Sequence, residues 1–279
     1  MIAVLLIVFR EVLEAGLIIS IVAAACKGLN IRIQVLSGII LGLLGAVLLA
    51  KFTSLVESSL SGYGQEIFTA SILLIATLML AWQNIWMSVK GREIAEKTKQ
   101  EMQVMLLDNK GSFAIVIVIA IAVLREGSEV VLFLYSLFLS SSLTENSMLL
   151  GGLLGTALGV LVTYSLYRGI VMIPLRYIFS SSNFILSLIA AGLSSQAVGI
   201  LANIGFLPQL GSQVWNSSFL LSSNGWAGVL AHSVVGYTAT PMGIQILTWC
   251  VVLLAISITT QRLKQNHLNN QETQHALNT

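Results

Sequence analysis

Seven predominantly apolar stretches run along the chain, at about 2–25, 35–56, 66–88, 113–139, 148–167, 177–201 and 242–262. Each is long enough to cross ~30 Å of hydrocarbon as an α-helix, and the pattern predicts seven spans. Between the third and fourth lies the polar segment Val89–Ser112. Its Glu93/Lys97 and Lys97/Glu101 pairs stand at i,i+4 spacing, which predicts a short helix in water or at the membrane surface. Residues 202–241, rich in Gly, Ser and Asn, form the longest connector. Trp215 and Trp226 predict that it lies against the interface and partly folds back. The polar end Gln261–Thr279 is expected to be disordered.

Composition agrees. Of 279 residues, 56% are hydrophobic and 9% charged, against about 25% charged in soluble domains. That is too little charge to cover a soluble globule. The expected fold class is all-α, a polytopic membrane protein of seven transmembrane helices. The first stretch starts at Met1-Ile2-Ala3 with no basic residue ahead of it, and Arg10, Glu11 and Glu14 would spoil an export signal's apolar core. It is expected to stay as a span. Cys26 and Cys250 form no motif and are expected to be packing residues outside any disulfide framework.

The basic residues set an orientation. Lys27 and Arg32 follow span one; Lys90, Arg92, Lys97, Lys99 and Lys110 follow span three; Arg168 and Arg176 follow span five; Arg262 and Lys264 follow span seven. All fall on one side of a seven-span layout, whereas the loops after spans two, four and six hold no Lys or Arg. The remainder are Lys51, near the outer end of span two, Arg10 and Arg125. The positive-inside rule then puts the amino terminus outside and the carboxyl terminus in the cytoplasm.

The first six spans also read as two related triplets. Phe9-Arg10-Glu11-Val12-Leu13-Glu14 in span one is echoed by Leu124-Arg125-Glu126-Gly127-Ser128-Glu129 in span four. Gly38, Gly42 and Ala46 in span two are matched by Gly151, Gly155 and Gly159 in span five. Small residues four apart let helix backbones approach closely in lipid. Because three spans is an odd number, the second triplet must be inverted. The layout expected is a 3+3 inverted repeat, about 1–88 and 113–201, plus a final helix at about 242–262. Such repeats place a substrate site near the midplane, and rocking of one repeat against the other opens it to each side.

Charge inside the spans is where chemistry is expected. Glu11 and Glu14, like Glu126 and Glu129, stand at i,i+3 and share a helix face; Arg10 and Arg125 precede Glu14 and Glu129 by four. A charge at a helix centre costs roughly 2.5–3.5 kcal/mol, so six cost on the order of 15–20 kcal/mol. Such groups survive where they face the bundle interior, pair with one another or line a polar path. Four carboxylates and two guanidiniums sum to −2, which a divalent cation neutralises. Oxygen ligands suit Mg, Ca, Mn or iron, and neither Cys nor a Met cluster accompanies them to favour a soft metal. The bland alternative is a pair of interhelical Arg–Glu bridges locking the bundle, for which the second Glu of each pair would be redundant.

These segments resemble the paired Arg-Glu-Gly-Leu-Glu motifs of the oxidase-dependent high-affinity iron permease family, the iron/lead transporter family, in its bacterial type. The similarity covers nearly the whole chain and includes Ala190-Ala191-Gly192-Leu193, Gly236-Tyr237 and Pro241. The resemblance implies a transmembrane permease domain over 1–265 with a polar tail at 266–279. It implies iron binding by Glu11, Glu14, Glu126 and Glu129, with Arg10 and Arg125 as the motif arginines in supporting ion pairs. Val12 and Ser128 stand where the family has Gly and Leu. Neither position is charged, so the departures bear on helix packing.

Other polar residues carry less. Gln83, Asn84 and Gln196 are expected in interhelical hydrogen bonds more than as ligands. Glu57, Glu66 and Glu145 are the acids near the outer face, His232 lies in the long connector, and His267 and His275 lie in the tail. The function expected is an iron permease of a bacterial inner membrane, not an enzyme. Iron is its transported substrate rather than a cofactor, and an extracytoplasmic oxidase or iron-binding protein is a partner that the resemblance suggests. No nucleic-acid partner is expected. Transport of another divalent cation such as manganese or lead is the alternative. A membrane-embedded enzyme and a proton-coupled exporter of organic cations rank below it, the former because no nucleophile–base set is visible.

Overall fold

A hydrocarbon environment forces backbone groups to bond within their own segment, and the apolar stretches accordingly form helices. The computed structural model describes residues 1–26, 31–59, 62–106, 111–140, 144–168, 175–219, 221 and 225–277. Among these residues are eight helices: α1 (Ile2–Ala25), α2 (Arg32–Ser58), α3 (Tyr63–Leu106), α4 (Gly111–Ser140), α5 (Glu145–Tyr167), α6 (Leu175–Asn203), α7 (Trp226–Val235) and α8 (Gly243–Leu277). Each of the seven expected stretches falls on a helix. Lys27 and Lys110, and the side chains of Glu57, Lys90, Arg92, Glu93, Lys97, Lys99, Glu101, Arg176, Trp226, Lys264, His267 and His275, lie outside the described residues.

Three expectations change. As far as Leu106 the polar segment after the third stretch is no separate helix, because the 44-residue α3 continues into it without a proline to stop it. The polar end is helical to Leu277 instead of disordered; neither Gly nor Pro follows Gly243, and residues such as Gln, Lys, Leu and Glu tolerate the helix well. The long connector contains a helix, α7, that its Gly- and Ser-rich composition concealed.

Segments of α2, α3, α5, α6 and α8 are long and apolar enough to cross a membrane. Helices α1 and α4 match them with 24 and 30 residues, and each carries one arginine and two glutamates. The chain is an all-helical, polytopic membrane protein. It divides into two units, one of Met1–Phe68 with Arg92–Ile173 and one of Thr69–Gly91 with Pro174–Thr279.

In the first unit the small-residue ladders seat the charged helices. Gly151, Gly155 and Gly159 of α5 lie against Met1, Leu5 and Phe9 of α1, so the two helices run parallel. Gly38 and Gly42 of α2 lie against Ile119 and Val123 of α4, again in parallel, and Gly127 of α4 meets Ala46 of α2. Each charged helix is thus held by a glycine-bearing neighbour, α1 by α5 and α4 by α2. Val22, Cys26, Ile115, Ile119 and Val123 close an apolar core beside these contacts. Cys26 is a packing residue as expected, while Cys250 is exposed.

In the second unit α3 and α6 run antiparallel, joined by Thr77 Oγ1 donating to Ala190 O at 3.3 Å and by Asn84 Nδ2 donating to Asn183 O at 2.8 Å and Ser187 Oγ at 2.6 Å. The connector folds back deeply. Gly236, which ends α7 at φ +74°, packs on the backbone of Gly192. Gly192 lies the stretch 192–203 before the end of α6, about 16 Å at 1.5 Å per residue. Trp249 Nε1 donates to Val235 O at 2.8 Å, and the Tyr237 hydroxyl bonds Ser217 Oγ at 2.6 Å. Non-helical backbone at such depth is tolerated where protein buries it. At the start of α8, the Met242 N–H donates to Gln245 Oε1 at 3.0 Å, which caps the helix.

Candidate metal site

The i,i+3 spacing on α1 and on α4 sets two carboxylates on one face of each helix, and ladder packing turns those faces inward. Glu11, Glu14, Glu126 and Glu129 are all buried, and so is Arg10. One carboxylate oxygen from each of Glu11, Glu126 and Glu129 lies within 4.8 Å of the other two. Three oxygens spread evenly around one cation stand √3 bond lengths apart, roughly 3.5–4.5 Å for bonds of 2.0–2.6 Å. A triplet within 4.8 Å is therefore close enough to converge on a single hard cation. Glu11 comes from α1 and Glu126 and Glu129 from α4, so the triplet joins the two helices at this point.

Like charges this close repel. At 4.8 Å and an effective dielectric of about 20, each ionised pair costs roughly 3 kcal/mol. A cation seated among the three oxygens converts that cost into attraction.

Glu14, the fourth expected ligand, is not in this triplet. It accepts from Arg10 Nε at 2.8 Å. Arg10 is 1% exposed, and its Nη1 and Nη2 have no hydrogen-bond partner. Arg125 stands 3.4 Å from Glu129 Oε1 and 3.8 Å from Glu126 Oε1, with its side chain 53% exposed. These ion pairs lie within a helix. The two motifs, alike in spacing, differ in enclosure.

The departures from the family motif acquire a packing reason. Val12, where a glycine is the motif's residue, fills the notch above Gly159 of α5. Gly127 keeps the glycine and receives Ala46 of α2 instead. In each pair one partner is glycine and the other bears the side chain. Ser128 Oγ donates to Arg125 O at 2.6 Å within its own helix.

Of the lesser candidates, Asn84 serves the interhelical bonds described above, and Gln83 is buried on α3. Gln196 lies on α6 with a buried Oε1 lacking a partner. Glu66 and Glu145 are exposed in the first turns of α3 and α5, where a negative charge suits the helix dipole. His232 Nδ1 lies 2.7 Å from Tyr237 O and, facing a carbonyl, must be the donor there; it braces the turn after α7. Gly16, set against Thr163, extends the α1–α5 ladder by one step that the sequence reading missed. The signal was present: Thr163 follows Gly159 by four.

A model of the family described as "Iron permease FTR1 family" matches residues 1–262. The chain is 28% identical over 254 residues to proteins named ferrous iron permease EfeU. They come from Escherichia coli O6:K15:H31 (strain 536 / UPEC), Shigella sonnei (strain Ss046) and Escherichia coli O157:H7, with 89% of this chain and 91% of each relative covered. No solved structure matches the chain. Buried charged helices, a cluster of three glutamates and this similarity converge, and the chain belongs to the iron permease FTR1 family.

Proposed function

We propose that this protein imports iron across a bacterial inner membrane, with the metal held in transit by carboxylates of α1 and α4. The observation that carries the reading is the buried triplet of Glu11, Glu126 and Glu129, in which Glu11 stands 115 positions from Glu126 in sequence. A cation seated there uses all three carboxylates at once and offsets their mutual repulsion. Ferrous iron is the substrate named for the relatives, and it matches the divalent charge that the six ionised motif residues require.

The seven-span layout with an inverted 3+3 repeat over 1–88 and 113–201 fits this function, within a permease domain of 1–265. Its support is the reciprocal packing of α1 with α5 and α2 with α4, both parallel, as alternating spans of odd and even rank require. That packing also alters the expected motion. Two triplets rocking as rigid bodies would break both glycine ladders at once, so the four helices α1, α2, α4 and α5 travel together. The basic residues favour an outside amino terminus and a cytoplasmic carboxyl terminus. An extracytoplasmic oxidase or iron-binding protein would deliver the metal to the outer face.

The test is uptake of labelled ferrous iron by cells expressing the wild type, Glu11→Gln or Glu126→Gln. Each variant is expected to lose uptake by about tenfold or more, since deleting one charged ligand beside a cation costs at least ~1.4 kcal/mol. Wild-type rates in both variants would reject the assignment. Unlabelled manganese or lead that competes better than iron would move it to another divalent cation.

A further inference from the structure

Sequence spacing makes Glu14 the counterpart of Glu129, yet the two stand differently. On α4 both carboxylates join the triplet, and on α1 only Glu11 does. Glu14 is bound instead to Arg10 at 2.8 Å, with side chains 1% and 8% exposed. The matching pair on α4 is 3.4 Å apart, and Arg125 is half exposed.

A guanidinium stays charged at any working pH, and a fully enclosed one must keep a counter-charge. Arg10 has Glu14 for this, and it also lies within electrostatic reach of Glu11 and Glu129. Without Glu14 it would turn on those two. Arg125 is half exposed, so its charge does not depend on Glu129 alone, and Glu129 stays available to a metal.

We propose that Glu14 is a positioning residue and not an iron ligand: it holds the Arg10 guanidinium so that Glu11, Glu126 and Glu129 are left to the cation. The two motifs then do different work. Motif two gives two ligands, while motif one gives a ligand and a closed counter-charge pair. This rests on the iron-binding reading above and assigns roles within that site.

The experiment is anaerobic titration of ferrous iron into the purified full-length protein in detergent. The variants are Glu14→Gln, Arg10→Gln/Glu14→Gln, Glu129→Gln and Arg125→Gln/Glu129→Gln. Glu14→Gln is expected to bind on the order of tenfold more weakly, because an uncompensated positive charge then faces the cation. Removing Arg10 as well is expected to restore most of that affinity, whereas Arg125→Gln/Glu129→Gln stays as weak as Glu129→Gln. An Arg10→Gln/Glu14→Gln protein no tighter than Glu14→Gln overturns the proposal, since the loss would then not come from an uncompensated Arg10 charge. Should the glutamine pair fail to fold, Arg10→Met/Glu14→Leu carries the same comparison, because apolar replacement of a whole buried ion pair is commonly tolerated. If the wild type binds no iron, or Glu11→Gln binds it normally, the site reading fails first and this assignment falls with it.

Discussion

Gly155→Ala tests how α1 is held in place. A Cβ at Gly155 would stand 2.7 Å from Leu5 O, 3.0 Å from Phe9 N and 3.0 Å from Val8 Cβ. Two of these are backbone atoms of a helix, which cannot swing aside as a side chain can. To regain an ordinary contact of 3.4 Å, α1 must retreat by about 0.7 Å. A gap of that size forfeits roughly a quarter to a half of the dispersion energy of each contact it opens. The steps at Gly151 and Gly159 share the register and open with it. The expected loss is about 1–3 kcal/mol, the usual range for overpacking. At roughly 2–4 °C per kcal/mol, the melting temperature falls by about 2–12 °C. Gly152→Ala is the control, with nothing within 4 Å of its added Cβ. The assay is thermal unfolding of purified protein in detergent, with ferrous iron affinity as a second readout because Phe9 directly precedes Arg10 and Glu11. If Gly155→Ala melts within about 1 °C of Gly152→Ala, the ladder does not set the position of α1.

Three further substitutions probe the second unit. Gly236→Ala combines a left-handed backbone, φ +74°, with a clash against Gly192; thermal unfolding should show about 2–4 kcal/mol lost. Gly205→Ala, at φ +83° with nothing within 4 Å, bears only the conformational part, about 1–2 kcal/mol, so equal losses would count against the α6–α7 contact. Asn84→Ala removes the bonds to Asn183 and Ser187 and should lower stability by about 0.6–2 kcal/mol. An unchanged unfolding temperature would mean that those bonds are replaced by others.

The paired motifs on α1 and α4 show how far residue spacing reaches. It locates the charged residues at mid-helix and sets Glu11 with Glu14, and Glu126 with Glu129, on a common face. It does not say which carboxylates meet, because two residues at i and i+3 still point about 60° apart. The rotation of α1 about its axis, set by Gly155 and Gly159, brings Glu11 toward α4 and leaves Glu14 to Arg10. Helix α7 escaped notice for another reason. Its sequence, Trp226–Val235, is too short to announce itself by periodicity, and contacts with Gly192 and Trp249 hold it in place.

From the sequence alone come the helices and the mid-span charges. A segment in lipid must satisfy its backbone locally, and the energy of a buried charge is set by where it sits along the span. The tertiary structure decided the partners: α1 on α5, α2 on α4, three glutamates at one point, and Arg10 enclosed while Arg125 is half exposed. These follow from backbone-to-backbone approach at a few glycines and from the resulting axial rotations. Both are properties of helix pairs, which no single stretch of sequence specifies.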